Sequence, residues 1–179
     1  MIKLTPCSKE RLNDMKKLYY TAFPAEERAP WRLLVKRAGQ HRAELLAATD
    51  GGSFAGMVYL VTMNDMAYLF YLAVEENMRG RGIGGQILTA LKEKYPGKRL
   101  FIAREQLDKA ADNYPQRESR RRFYLANGFE DWSGQIIEGT MVYDIMGVGR
   151  PVTPPEYNAL MKSWAGWFKS LFFRAHMVE

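Results

Sequence analysis

The sequence predicts an α/β domain of the α+β kind, with a central mixed sheet flanked by helices. Three observations carry that prediction. The segments "AELLAAT", "SFAGMVYLVTM" and "MAYLFYLAV" follow one another across the short turns "DGG" and "ND", the pattern of a β-meander. A helical stretch, "GGQILTALKEKY", then separates the last of these from the apolar strand "RLFIA". Strands joined through a helix are parallel with a right-handed crossover, so the sheet must be mixed.

The other elements follow in order. "IKLTP" reads as a first strand. Ser8 stands where an N-cap belongs, and Leu12, Met15, Leu18 and Ala22 recur at helical spacing to Phe23, where Pro24 stops the run. "FPAEERAPW" is a charged connector, and Pro30 suits the opening of a second helix through Trp31, Leu34, Val35 and Ala38 to Gly39. In the helix after the meander, Ile87, Leu88 and Leu91 share a face, and "PG" ends it. A polar connector leads to Pro115, and "PQRESRRRFYLAN" reads as a helix closed by Asn127 and Gly128. "GQIIEG" and "TMVYDIMGV" make a last strand pair. The expected organisation is one domain over residues 1–149, a Pro-rich linker over 150–155 and an amphipathic helix over 156–179.

Composition narrows the class. The 179 residues suit one domain with a full core, and 47% hydrophobic with 26% charged residues argues against disorder. A single cysteine, Cys7, excludes an internal disulfide framework and points to a reducing compartment. His41 and His176 stand far apart, so no metal site is expected. "MIKLTPCSKE" has no apolar stretch of signal-peptide length, and no run of about 18 apolar residues occurs; a cytoplasmic protein is expected. A net charge of +6 suits an anionic ligand, whether nucleotide, nucleic acid or membrane surface, without choosing among them.

The glycines choose. Gly80, Gly82 and Gly85 spell G-x-G-x-x-G, with Gly84 among them. No Lys-Ser or Lys-Thr pair follows, which removes the Walker loop. A dinucleotide fingerprint needs its first glycine directly after a strand within successive parallel strands, whereas here "EENMR" intervenes after a meander. A pyrophosphate cradle uses the residues better. Glycines admit a bulky diphosphate to the backbone N–H groups from Arg79 to Gly85, and the following helix adds its positive end. Arg79 and Arg81 contribute charge.

With these residues the chain resembles the GNAT N-acetyltransferase superfamily. Its Arg/Gln-x-x-Gly-x-Gly/Ala signature is matched by Arg79, Gly82 and Gly84 after the strand "YLAV", and its helix-ending tyrosine followed by "GF" by "FYLANGF". The element order matches from Ile2 to about Val148. The resemblance implies a twisted, mostly antiparallel sheet whose two parallel strands splay apart at a CoA site. It implies acetyl-CoA, or another acyl-CoA, as donor, and no metal. The donor would contact Arg79, Gly80, Arg81, Gly82, Ile83, Gly84 and Gly85, and its pantetheine arm would pair with the backbone of Leu72, Ala73 and Val74.

For the chemistry, the resemblance makes Tyr124 the donor to the leaving sulfur; the alternative is a core aromatic beside Phe123. Full proton transfer from a free tyrosine to a thiolate is uphill by about 2 kcal/mol, so Tyr124 either only hydrogen-bonds or has its pKa lowered by Arg120 or Arg121. Glu105 ends its strand as a candidate general base, a binder of the acceptor's ammonium, or a solvated strand end. Glu26, Glu27 and Arg28 lie in the connector that lines the acceptor pocket in the family, with Arg104 a further acceptor contact. Arg117 stands where the family more often has asparagine, with Asn113 one turn earlier, a pattern similar to a bacterial subgroup whose acceptor it does not name. The arginine cluster could instead meet the CoA 3′-phosphate or an acidic acceptor.

The expected activity is acetyl transfer to the primary amine of a small molecule or peptide. The rivals are transfer of a longer acyl group and a non-catalytic acyl-CoA sensor; nucleic-acid or membrane binding is suggested only by net charge and the tail, and no nucleic-acid partner is expected. In the tail, Tyr157, Leu160, Met161, Trp164, Trp167, Phe168, Leu171 and Phe172 form a stripe expected to pack on its own domain or a second subunit. Lys162, Lys169 and Arg174 leave a membrane surface as the lesser alternative.

Overall fold

The computed structural model describes residues 1–139, 141–166 and 175–178. The strands are β1 (Ile2–Pro6), β2 (Glu44–Asp50), β3 (Ser53–Met63), β4 (Met66–Val74), β5 (Arg99–Glu105), β6 (Glu130–Glu138), β7 (Met141–Val148) and β8 (His176–Val178). The helices are α1 (Leu12–Ala22), α2 (Trp31–Gly39), α3 (Ile83–Lys94), α4 (Tyr114–Ala126) and α5 (Pro154–Ala165). Hydrogen bonding orders the strands β1-β2-β3-β4-β5-β7-β6-β8, with β4 and β5 the one parallel pair in a mostly antiparallel sheet. The mixed α/β class expected from the meander and crossover is what the chain adopts.

The chain divides into two compact units, the first formed by Met1–Thr62 with Leu69–Pro96 and the second by Met63–Tyr68 with Gly97–Glu179. In the first, α1 buries Met15, Leu18 and Tyr19, α2 buries Trp31 and Leu34, and α3 buries Ile87, Leu88 and Leu91. These are the positions the 3.6-residue period selects. Helix α1 starts one turn later than a Ser8 cap would place it. Cys7 N–H still donates to Leu45 O at 2.9 Å, extending the pairing of β1 with β2, and the Arg11 N–H then closes a turn on Ser8 O at 3.2 Å.

In the second unit, β5 has a strand on each side. It pairs with β4 over Met66–Tyr68 against Arg99–Phe101, and with β7 over Leu100–Glu105 against Tyr143–Val148. A run of rings forms its core. Tyr68 stacks on Phe101 at 4.9 Å, Phe101 on Trp132 at 6.0 Å, and Tyr157 of α5 meets Tyr68 edge-on at 5.8 Å. Helix α5 buries Tyr157, Leu160, Met161, Trp164 and Ala165, the part of the tail stripe that is described. Thr153 and Glu156 form a capping box with Pro154 in the first turn, so the end of the expected linker is the start of a helix.

The tail corrects one expectation. The helix ends at Ala165 with Gly166 as C-cap, and His176–Val178 form a strand rather than the end of a helix running to 179. That strand is ordered by pairing with β6, Ile137 with His176, Ile136 with Met177 and Gln135 with Val178. Trp167, Phe168, Lys169, Leu171, Phe172 and Arg174 lie outside the described residues.

Arg99 ties the second unit together. Its side chain is 4% exposed and all five N–H donors are used. Nε and Nη2 donate to the two oxygens of Asp65 at 2.8 and 2.7 Å, Nη1 and Nη2 to Glu156 at 3.0 and 2.8 Å, and Nη1 to Pro151 O at 3.3 Å. Arg99→Met removes five hydrogen bonds, four of them to carboxylate oxygens, from a buried position and should cost about 3 kcal/mol. In calorimetry that reads as a Tm lower by roughly 6–12 °C. The hydrogen bonds from Arg99, with those from Thr153, hold the Glu156 carboxyl well below its usual range. A depressed folded pKa gives stability that is present above about pH 4.5 and lost as pH falls through the folded value. Glu156→Gln should therefore flatten the acid limb of Tm against pH relative to the parent; an unchanged limb would remove Glu156 from the network.

Candidate active site

The glycine loop lies in the first unit. After Val74 the chain makes a 3₁₀ turn at Glu76–Met78, then passes through Gly80 and Gly82, both left-handed at φ 74° and 73°, into α3. An L side chain resists that backbone region, which accounts for both glycines. A Cβ at either would meet nothing within 4 Å, so the space above them is open. Gly82 is the N-cap of α3 and supplies no side-chain cap. The first intrahelical bond comes from Gln86 N–H to Gly82 O at 3.1 Å, so the N–H groups before Gln86 have no partner within the helix.

The loop is braced from below. Arg79 Nε donates to Val74 O at 3.2 Å, so this side chain folds back on the end of β4. Arg81 is exposed and contacts the Met78 sulfur at 3.8 Å. Glu75 N–H donates to Ala55 O at 2.9 Å, beside a bulge where β3 slips against Ala48 and Thr49. At that bulge a Cβ on Gly56 would stand 2.4 Å from Ala73 O, so only glycine lets β3 approach β4 here. Leu72 and Val74 are half-buried and Ala73 is buried.

The connector from Pro24 to Pro30 is also in the first unit. Ala25–Glu27 form a 3₁₀ turn with Glu26 exposed and Glu27 and Arg28 half-buried. Arg28 lies over the Tyr20 ring at 4.8 Å and donates to Tyr20 O at 3.4 Å.

Tyr124 and Glu105 lie in the second unit. Tyr124 sits in the last turn of α4, buried between Phe123 and Phe129, with ring centroids at 5.1 and 5.2 Å. The "NGF" after the helix explains the placement, because Asn127 and Phe129 N–H both bond Tyr124 O and fold Phe129 back onto the ring. Among the described residues the Tyr124 hydroxyl makes no hydrogen bond. Burial pushes its pKa up to about 12, with Arg120 opposing the shift. Of the two arginines expected to lower it, Arg120 acts in that direction but burial outweighs it.

Glu105 is nearly buried and closely engaged. Oε1 accepts from Asn113 Nδ2 at 3.2 Å and pairs with Arg117 at 3.1 Å, while Oε2 accepts from Arg120 at 3.4 Å. Arg117 also donates to Asn113 Oδ1 at 2.6 Å and to Gln106 O at 2.8 Å, tying the exit of β5 to α4. The arginine at the place of the usual asparagine and the asparagine one turn earlier thus converge on one carboxylate. Arg104 is buried, and its guanidinium faces Asp131 at 3.0 Å and Asp144 at 3.2 Å, so it is spent on carboxylates of the protein itself. Arg121 pairs with Asp131 as well, and the two arginines hold Asp131 below its usual range against the opposing effect of burial. The sequence reading missed these pairings; Asp131 and Asp144 stand in strand segments without a motif to mark them.

Comparison with known proteins agrees with the fold. The acetyltransferase (GNAT) domain model matches residues 41–131, just over half the chain. The chain therefore belongs to the GNAT acetyltransferase family. No curated protein sequence matches it. A GNAT-family acetyltransferase structure from Bacteroides thetaiotaomicron is similar over 93% of this chain and 97% of its own, at 18% identity and a TM-score of 0.72. An aminoglycoside 6′-N-acetyltransferase complexed with coenzyme A matches at 15% identity, with a TM-score of 0.63 over 84% and 99% of the two chains. The ribosomal-protein-S18-alanine N-acetyltransferase of Escherichia coli matches at 17% identity, with a TM-score of 0.61 over 86% and 99%. At these identities the likeness is one of fold. No helix among the described residues is long and apolar enough to cross a membrane, and no cluster of metal-binding side chains occurs among them.

Proposed function

We propose that the protein is an N-acetyltransferase that moves the acetyl group of acetyl-CoA to a primary amine by direct attack. The observation that carries the donor is the open start of α3. Two left-handed glycines with empty space above them precede an uncapped helix end, which suits a diphosphate without lysine or magnesium. Family membership supports acyl-CoA, as does the fold relative complexed with coenzyme A. Under this reading Arg79, Gly80, Arg81, Gly82, Ile83, Gly84 and Gly85 hold the diphosphate. The backbone of Leu72, Ala73 and Val74 pairs with the pantetheine arm. The acceptor is an amine on a small molecule or peptide, and two of the fold relatives are N-acetyltransferases by name. Glu26, Glu27 and Arg28 receive it, while the buried Arg104 contributes by fixing Asp131 and Asp144. The lone Cys7 supports a cytoplasmic setting.

In the reaction the amine nitrogen attacks the thioester carbon, the carbon–sulfur bond breaks, and sulfur leaves as thiolate. Tyr124 is the residue proposed to meet that sulfur, since its hydroxyl is uncommitted among the described residues and protonated throughout the physiological range. Its pKa near 12 lies above a thiol's 8.5, so full proton transfer is uphill by roughly 5 kcal/mol. Tyr124 therefore stabilises the thiolate as a hydrogen-bond donor. The nitrogen must lose a proton, and Glu105 is the proposed acceptor through the lone pairs that Arg117, Arg120 and Asn113 leave. Their three bonds favour a second role, in which Glu105 is the hub that orders the arginines.

Thiol release from acetyl-CoA across a panel of amines, peptides and aminoglycosides tests the function; binding without release would make the chain a sensor, and preference for a longer acyl donor would change its substrate. Gly82→Val should keep the fold, because the added atoms enter open space, with a strain cost of about 1–2 kcal/mol. Its affinity for acetyl-CoA should fall at least about tenfold in calorimetry, and unchanged affinity would remove the loop from the donor site. Tyr124→Phe should lower kcat about 10–100-fold with little change in KM for acetyl-CoA. Its pH profile should match the parent's from pH 6 to 9, since Tyr124 stays protonated there. For Glu105, rates in the parent should rise with pH until the amine is neutral. Glu105→Gln should flatten that rise if the carboxylate takes the proton; a preserved slope with a lowered Tm assigns it to holding Arg117 and Arg120.

A further inference from the structure

Tyr71 has a task that the proposed chemistry leaves unused. It stands on β4 immediately before Leu72–Val74, and it is 5% exposed. Its hydroxyl reaches the connector between α1 and α2, accepting from Ala29 N–H at 2.9 Å and donating to Glu27 O at 2.8 Å. Tyr19 of α1 adds a third bond, donating to Ala29 O at 2.9 Å. The connector's own turn bonds are longer, Glu27 N–H to Pro24 O at 3.2 Å and Arg28 N–H to Ala25 O at 3.3 Å. Its backbone is thus held from outside, at the residues on either side of Arg28.

The ring is as constrained as the hydroxyl. Phe23 packs edge-on against it at 4.8 Å, Tyr19 at 5.0 Å and Phe70 in a tilted contact at 4.7 Å. A ring fixed on three sides cannot swing, so its hydroxyl transmits the position of β4 to the connector. The geometry points to Tyr71 as a positioning residue. It latches the loop bearing Glu26, Glu27 and Arg28 to the strand whose next three residues take the donor's arm, so that donor binding stiffens the acceptor loop. This rests on the function proposed above.

Hydrogen exchange on the full chain, with acetyl-CoA as the probe, tests it. In the parent, saturating acetyl-CoA should slow exchange of the Ala29 amide at least about threefold. In Tyr71→Phe, which keeps the ring, Ala29 should exchange about tenfold faster without ligand, and acetyl-CoA should no longer slow it. Tyr19→Phe is the control. It removes the Tyr19 bond to Ala29 O and the Tyr19 hydroxyl's interaction with Tyr71 but leaves Tyr71's own bonds to Ala29 and Glu27, so it should loosen the loop yet keep the response to acetyl-CoA. With the amine identified by thiol release, Tyr71→Phe should raise the acceptor KM about tenfold while KM for acetyl-CoA stays within twofold. If calorimetry shows no acetyl-CoA binding, the proposed function fails. If acetyl-CoA binds but the parent's Ala29 amide does not respond, or if Tyr71→Phe responds as the parent does, the latch is wrong.

Discussion

A buried guanidinium is costly unless each of its donors finds an acceptor, and the second unit is arranged around meeting that demand for Arg99. The five acceptors come from three places: the β3–β4 turn through Asp65, the segment before α5 through Pro151, and the first turn of α5 through Glu156. The Arg99 N–H also donates to Asp65 O at 2.7 Å, next to the first pair of the parallel ladder. Parallel pairing has no hairpin to set its register, so a side chain that clasps the neighbouring turn does so instead. The ladder that follows is three pairs long, and both strands run on beyond it, β4 to Val74 and β5 to Glu105.

Arg104 shows the same demand only partly met. Its Nη atoms are satisfied by Asp131, Asp144 and Glu105 O, but Nε is buried without a partner among the described residues. An orphaned donor there weakens the network's claim to be purely stabilising. What the network does achieve is alignment. Arg104 and Glu105 are consecutive on β5, and their side chains are held by separate sets of charges, Asp131 and Asp144 for one, Arg117 and Arg120 for the other. Neither can drift without breaking several charge-assisted bonds.

The parts legible in the sequence were those governed by local rules. The glycine loop, helical periodicity, the Asn127–Gly128 stop and the short meander turns each follow from the conformational limits of single residues. Helix α1 begins at Leu12, after a turn in which the Arg11 N–H reaches Ser8 Oγ at 3.4 Å and Ser8 O at 3.2 Å, so Ser8 holds the turn that leads into the helix. Strand β8 escaped because three residues have no period, and only the edge of β6 makes them a strand. The partners of Glu105 were invisible for a different reason. "RESRRRFY" announces charge but not direction, and the fold alone decides that Arg117 and Arg120 turn to Glu105 while Arg122 pairs with Glu118 on the helix surface. The same limit hid Tyr71, which reads as one aromatic in an apolar strand until its hydroxyl is seen to hold a loop 42 residues away.

Two tyrosines then divide the work by what their hydroxyls are doing. That of Tyr71 is committed as donor and acceptor at once, so it cannot take part in chemistry without releasing the connector. That of Tyr124 is uncommitted among the described residues, and burial keeps its proton tightly held. A group that holds its proton this firmly is a poor acid toward a thiolate but a dependable donor to one, because it does not ionise as charge develops nearby. The proton balance of acyl transfer therefore falls on the amine and its surroundings, not on Tyr124. Glu105 enters that balance with both oxygens already engaged, by Arg117 and Asn113 on one and by Arg120 on the other. The pH dependence of turnover should thus follow the ionisation of the acceptor amine more closely than that of any tyrosine. Acceptors of different amine pKa should shift the profile in parallel, and a profile that stays fixed across such a series would place the controlling ionisation on the protein instead.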